Sequence, residues 1–487
     1  MKRIIILLFV FNIFGTNVFS AVYFVSVNGN DGNDGLSTEN AFLTVSKALS
    51  VVQPGDTVYI LEGTYDLDNA TQISGTEQNP ILIKAYENNE VILEGSGNTS
   101  TGGRFRLVND WYVIEGLDFT NGEAGISLTS NASHNIIKNC SAHNCYYTGF
   151  YSAAGASYNT FTDCDAYDMY DSGTDGGNAD GFGVNGQTSV PGPGNKFINC
   201  RAFNNSDDGF DVWKAGYPVE FYNCMSYNNG FNGGDGNGFK LGVNISDNDK
   251  HILRNCIAWN NKQNGFDYND NELSQTLHNC TAYNNGRNYK FDNINGSPVK
   301  HDIVNCISAV TQNDDILLQT VIDENINSWN LIDPNSVDII DENFISIDDN
   351  IITGERNPDG SIPESDFLRL KPGSIFIDAG VDTGLPYYGD APDLGAFESD
   401  FSAVKDNYVK DEVFVYPNPY KDYLYICVDN DKLSEVYVYD IEGKEIISKS
   451  FFKEIKITNK DLKQGIYVLY VITNNKVFAK KIISSYN

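Results

Sequence analysis

The chain has 487 residues and a formal net charge of −32 at neutral pH. So acidic a balance excludes a nucleic-acid partner, because phosphate binding requires a basic face. With 44 Gly, 29 Tyr and 28 Phe and no sustained helical periodicity, the composition points to an all-β chain rich in turns.

The first segment, MKRIIILLFVFNIFGTNVFSA, sets Lys2 and Arg3 before an apolar run that ends in small residues. That is the layout of a secretory signal peptide over residues 1–20, cleaved near Ser20 or Ala21. A retained anchor needs roughly 18 or more apolar residues, and Asn12, Gly15, Thr16 and Asn17 interrupt this run. The expected location is therefore outside the cell or on its surface. Next, AFLTVSKALSVV carries apolar residues at helical spacing before the strand-like PGDTVYI. A short helix capping the open end of a strand stack fits this pattern, since uncovered strand edges invite aggregation.

From residue 138 a repeat is visible in KNCSAHN, TDCDAYD, INCRAFN, YNCMSYN, RNCIAWN, HNCTAYN and VNCISAV. Its cysteines, Cys140, Cys164, Cys200, Cys224, Cys256, Cys280 and Cys306, are spaced by 24, 36, 24, 32, 24 and 26 residues. A period of 24 filled with short β-type runs and Asn-Gly turns fits one coil of a right-handed parallel β-helix. Equivalent residues would then stack, and the cysteines would form an inward column of small hydrophobes. Disulfides are the competing expectation for an exported chain, but nine cysteines cannot all pair. The repeat blurs after Cys306, and the last recognisable piece is PDLGAFE, so the β-helix is assigned to residues 21–398.

A second motif recurs once per coil: TGFYS, DGFGV, DGFDV, NGFKL and NGFDY. Reading the Phe as core and the Gly as a bend registers the coils. Asp180, Asp208 and Asn237 should then stack before the Gly, and Asp211, Lys240 and Asp267 after the Phe. Asp207 adjoins the first column. Four carboxylates, Asp180, Asp207, Asp208 and Asp211, thus gather on two neighbouring coils, with Lys240 one coil further. Extra residues around DMYDSGTDGGNAD and GFNGGDGN immediately precede Asp180 and Lys240, and long loops on a rigid scaffold commonly serve a site. Clustered carboxylates repel unless a cation sits among them, and hard oxygen ligands suit Ca²⁺ better than Zn²⁺. The five histidines show no metal-ligand spacing.

The segments NADGFG, NNSDDGFDVW and GDGNGFKLG resemble the motifs of pectate lyases in polysaccharide lyase family 9. The likeness implies an enzyme that cleaves pectate by Ca²⁺-assisted β-elimination; a monomer is expected. Carried over by position, it implies that Asp180, Asp207, Asp208 and Asp211 hold the metal and that Lys240 abstracts the proton. Lys214, Lys262, Arg254 and Arg287 are candidates for gripping substrate carboxylates. Although the chain is acidic, Lys196–Lys300 holds ten Lys or Arg against eleven Asp or Glu, so this stretch need not repel an anionic polymer. Two rivals stay open: a lyase or hydrolase for alginate or a glycosaminoglycan, and a non-catalytic glycan-binding surface protein.

Residues 399–412 read as a linker. From Val413, the runs VYPNPYKDYLYI, VYVYDIEGKEI and GIYVLYVITNNKVFAKKII alternate apolar and polar residues as a small antiparallel β-sandwich does, over 413–487. Its YPNP start and its GIYVLYV and KKII end resemble the C-terminal sorting domain of type IX secretion substrates, which implies secretion machinery as a partner. A carbohydrate-binding sandwich is the alternative.

Overall fold

The coils turn where the sequence places Asn or Asp. The residue before each ladder cysteine, from Asn139 to Asn305, is left-handed with φ between 48° and 56°, a region that Asn and Asp tolerate better than other side chains. A second left-handed residue, Asn144, Asp168, Asn204, Asn228 or Asn260, closes the strand that follows. In this computed structural model the described residues are 20–87, 89–186, 189–243, 245–246, 249–291, 299–311, 326–331, 342–399, 413–416, 423–428, 433–440, 444–458, 460–473 and 476–484. The expected signal peptide, Ser20 apart, and the expected linker, Ser399 apart, lie outside them.

Between these turns the strands form three parallel sheets. Sheet A has eleven strands, from Val22–Val25 to Asp302–Val304; sheet B has ten, from Gly63–Asp66 to Ile307–Thr311; sheet C has eight, from Phe105–Leu107 to Arg287–Lys290. The result is a right-handed parallel β-helix, closed at its start by the helix Val45–Leu49. Thr44 caps that helix by accepting from the Lys47 N–H, and Val45, Ala48 and Leu49 join the core of the first coils.

Two internal ladders hold the stack in register. The seven repeat cysteines and Cys145 are buried free thiols, and the sulfurs donate weakly to carbonyls of their own or the preceding coil, as Cys164 Sγ does to Ile137 O at 3.5 Å. Phe150, Phe182, Phe210, Phe239, Phe266 and Tyr289 stack with ring centroids 4.8 to 5.1 Å apart, which is the strand spacing itself. The repeated glycines serve close approach rather than a bend. A Cβ on Gly209 would lie 2.0 Å from Ser226 Oγ, and one on Gly238 would lie 2.5 Å from Gly265 O. Next to these atoms runs a buried asparagine ladder, in which Asn205, Asn229, Asn261 and Asn285 pass amide hydrogen bonds from coil to coil.

Residues 342–399 cover part of the outer face of sheet B. Phe344, Ile352, Phe367 and Leu394 pack on Tyr227, Ile257, Trp259 and Ile307. The segment is fastened by Asp165, which accepts from Arg201 Nη2 and from Arg356 Nη2, both at 2.7 Å. Burial opposes the charge on Asp165, yet the two guanidinium groups more than offset it and hold the carboxyl below its usual range. Asp165→Ala leaves two largely buried cations uncompensated and is expected to cost about 3–5 kcal/mol, read as a lower unfolding midpoint of the full chain. A change below about 1 kcal/mol, the size of an exposed pair, would show that the triad fastens nothing.

The chain divides into two compact units, Met1–Thr383 with Tyr387–Ser399, and Gly384–Pro386 with Asp400–Asn487. The second holds an antiparallel three-stranded sheet (Val413–Tyr416, Tyr423–Val428, Glu454–Thr458) and a four-stranded one (Leu433–Asp440, Glu445–Phe452, Gly465–Thr473, Lys476–Ser484). Alternate residues such as Leu424, Ile426, Val436, Val438, Leu469 and Val471 build its own core.

Candidate active site

The outer face of sheet C carries the residues singled out from the sequence. Strand pairing aligns Asp211 with Lys240 and Lys240 with Asp267. Backbone hydrogen bonds from Gly181 to Asp208 O, from Gly209 to Asn237 O and from Gly238 to Asn264 O align Asp180, Asp208, Asn237 and Asn264 in the turn before those strands. Both expected columns are therefore present.

Carboxylate oxygens of Asp180, Asp207 and Asp208 lie within 4.8 Å of one another, and all three residues are buried. Part of each carboxylate is fixed from the scaffold. Asp180 accepts from Thr148 Oγ1 and the Asp208 N–H, Asp207 from the Asp235 N–H at 2.8 Å, and Asp208 Oδ1 from the backbone and side-chain N–H groups of Asn237. Asp208 Oδ2 takes no hydrogen bond; it forms an ion pair with Lys240 Nζ at 2.8 Å. Asp211 stands beside the triad rather than in it, with Oδ1 accepting from the Trp213 N–H at 2.8 Å.

Burial and mutual repulsion dominate the electrostatics. Burial, with Asp208 as the main repelling neighbour, pushes Asp207 up to about 7. Asp211 is pushed up to about 6 by burial, against the pull of Lys240. Asp180 is raised well above the carboxylate range by burial and by Asp211, Asp207 and Asp208. Burial disfavours the Lys240 ammonium, but Asp208, Asp211, Asp180 and Asp207 outweigh it and raise the lysine above its ordinary value. A buried, oxygen-only donor set whose Asp208 Oδ2 is met by the Lys240 ammonium alone fits a hard divalent cation.

The two inserted loops lean on each other beside this cluster. Gly233 N donates to Asp175 O at 2.8 Å, and Tyr170 stacks on Phe231 at 5.8 Å. Lys262 ties the second loop by donating to Asn232 O and Gly234 O, so its ammonium is engaged by backbone. Lys214 lies over the ring of Trp213 at 4.0 Å. Arg254 belongs to sheet A, and Arg287 pairs in sheet C with Asn264.

A family model described as Pel9A-like, right handed beta helix region, matches residues 23–306. The chain belongs to this family. Pectate lyase L of Dickeya dadantii is 34% identical over 398 residues, covering 77% of this chain and 90% of the relative. Pectate lyase PEL9 of Emericella nidulans is 30% identical over 395 residues, covering 72% and 92%. The crystal structure of pectate lyase Pel9A superposes with a TM-score of 0.70 at 32% identity, over 78% of this chain and 96% of that one. This member of the Pel9A-like family is a polysaccharide lyase, which removes the hydrolase and the non-catalytic binder from the rival readings. Residues 414–485 match the secretion system C-terminal sorting domain. The second unit is thus a sorting domain of the type IX kind and not a carbohydrate-binding sandwich.

One residue of the outer column escaped the sequence reading. Lys290 aligns with Asp267 one coil on, but its motif reads NYK, where the three coils before it read GFD or GFK. The tyrosine in place of phenylalanine and the asparagine in place of glycine hid the register.

Proposed function

We propose that the chain is a secreted pectate lyase that cleaves polygalacturonate by calcium-assisted β-elimination, with Lys240 as the base and Asp180, Asp207, Asp208 and Asp211 as the metal ligands. The observation that carries this reading is the Lys240 ammonium 2.8 Å from Asp208 Oδ2, at the edge of the three-carboxylate cluster. Calcium, when bound, would offset the charge that builds beside a uronate carboxylate as its C5 hydrogen leaves. Lys240 takes that proton, the C5 electron pair forms the C4–C5 double bond, and the C4 oxygen departs with the rest of the polymer. The amine form is needed for this step. The carboxylates that favour the ammonium are those a divalent cation neutralises, so an occupied cluster withdraws their support for it.

The test incubates the protein with polygalacturonate and calcium and follows the ultraviolet absorbance of unsaturated products, with and without chelator. Chelator-sensitive product is expected, with an alkaline optimum, because an unperturbed lysine titrates near ~10.4. An optimum below about pH 6 would rule out a lysine base. A rhamnogalacturonan lyase structure superposes with a TM-score of 0.61 at 27% identity over 72% of this chain. Product from rhamnogalacturonan but not from polygalacturonate would therefore move the substrate and keep the chemistry; product from alginate alone would do the same. The sorting domain points to secretion by the type IX route, and we read the leader as its signal peptide and the mature enzyme as a monomer released outside the cell or held on its surface.

A further inference from the structure

We infer that Lys290 is a specificity-determining residue, anchoring a second uronate carboxylate of the polymer two coils beyond Lys240. This rests on the lyase reading above and extends the same site along the outer column Asp211, Lys240, Asp267, Lys290. Two strand steps separate Lys240 from Lys290, roughly 9 to 10 Å. A polyuronate carries one carboxylate on every sugar, and a pyranose unit is of the same order in length as one strand step. A chain lying along sheet C with one sugar over Lys240 thus brings a later carboxylate to Lys290.

The surroundings of Lys290 suit an anchor better than a structural cation. Its side chain keeps 27% of its surface exposed, while that of Asp267 keeps 5%. Asp267 is already satisfied by the Asn264 side chain at 2.9 Å and the Asn269 N–H at 2.7 Å, so the Lys290 contact at 3.5 Å is its loosest. Lys290 Nζ lies over the Tyr268 ring, 6.0 Å from the centroid, which steadies an ammonium that still reaches solvent. Lys262, by contrast, is committed to backbone carbonyls. In a chain with a net charge of −32, a cation in the column also lowers the repulsion that a polyanion meets there.

The experiment compares steady-state kinetics of the calcium-loaded wild type, Lys290→Gln, Lys290→Arg and the double variant Asp267→Asn/Lys290→Gln on polygalacturonate. Lys290→Gln should raise KM about tenfold with kcat little changed, the loss of one charged hydrogen bond. Lys290→Arg should recover most of it, and added salt should shrink the difference. The double variant strands no charge, so its KM should stay raised; a return to the wild-type KM would assign Lys290 a structural role and overturn the anchor. An unmoved KM in Lys290→Gln, with wild type active, overturns the anchor alone. Wild type that releases no unsaturated product from polygalacturonate overturns the pectate reading and this inference with it.

Discussion

Lys240→Ala should lower kcat on polygalacturonate by about 10²–10⁴-fold, the contribution of a positioned general base, and leave KM within a small factor. Lys240→Arg should be as inactive, because a guanidinium cannot deprotonate at any accessible pH, although it keeps the positive charge. The pair of variants separates base from counter-ion: if Lys240 only neutralised the cluster, arginine would serve. The metal-free alanine variant also loses the ion pair with Asp208, so its four carboxylates should demand a cation more strongly and calcium should bind it more tightly. Residual activity of either variant within tenfold of wild type would show that another group takes the proton.

Calcium should stabilise the protein little at pH 5 and strongly at pH 8. In the metal-free site Asp207 and Asp211 sit at about 7 and about 6, and Asp180 is higher than an ordinary carboxylate. Unfolded aspartate titrates near ~3.9, so between about pH 4 and 7 the folded protein holds protons that the unfolded chain has lost. Stability therefore falls as pH rises through this window. Calcium needs the ionised carboxylates and displaces their protons, so its benefit grows over the same range. At free calcium 100 times Kd the gain is about 2.7 kcal/mol, visible as a raised melting temperature at pH 8 and its loss with chelator. An equal shift at both pH values would remove these aspartates from the binding site, and Asp208→Asn should abolish the shift if they form it.

Much of this molecule could be read from its sequence because a coil repeats its chemistry. The Asn-Cys pairs mark the turn between sheets A and B, where the left-handed backbone suits Asn and the inner corner suits a small thiol. The Gly-Phe pairs set a register from which the alignment of Asp211, Lys240 and Asp267 follows, and strand pairing has the same alignment. Legibility fails where repetition does. Lys290 sits in a degenerate motif. The Asp165 and Arg356 contact joins residues 191 apart and leaves no periodic trace. The glycines could be located but not explained, because what crowds them is backbone of the next coil and inward-turned polar side chains, Ser226 and the asparagine ladder, against the usual binary pattern. Likewise, sequence adjacency could not show that Asp211 lies beside the carboxylate triad while Asp207 lies in it.

The proposed base and metal ligands lie on or just before the strands Phe182–Val184, Phe210–Asp211 and Phe239–Lys240, the fourth to sixth of the eight described in sheet C. In a stack where each coil pairs chiefly with its neighbours, melting tends to proceed from the ends. Lys240 and the aspartates are therefore set away from the fraying ends, whereas Lys290, on the last described strand of sheet C, is exposed to fraying. Heat should therefore loosen the grip on the polymer at Lys290 before it disturbs Lys240.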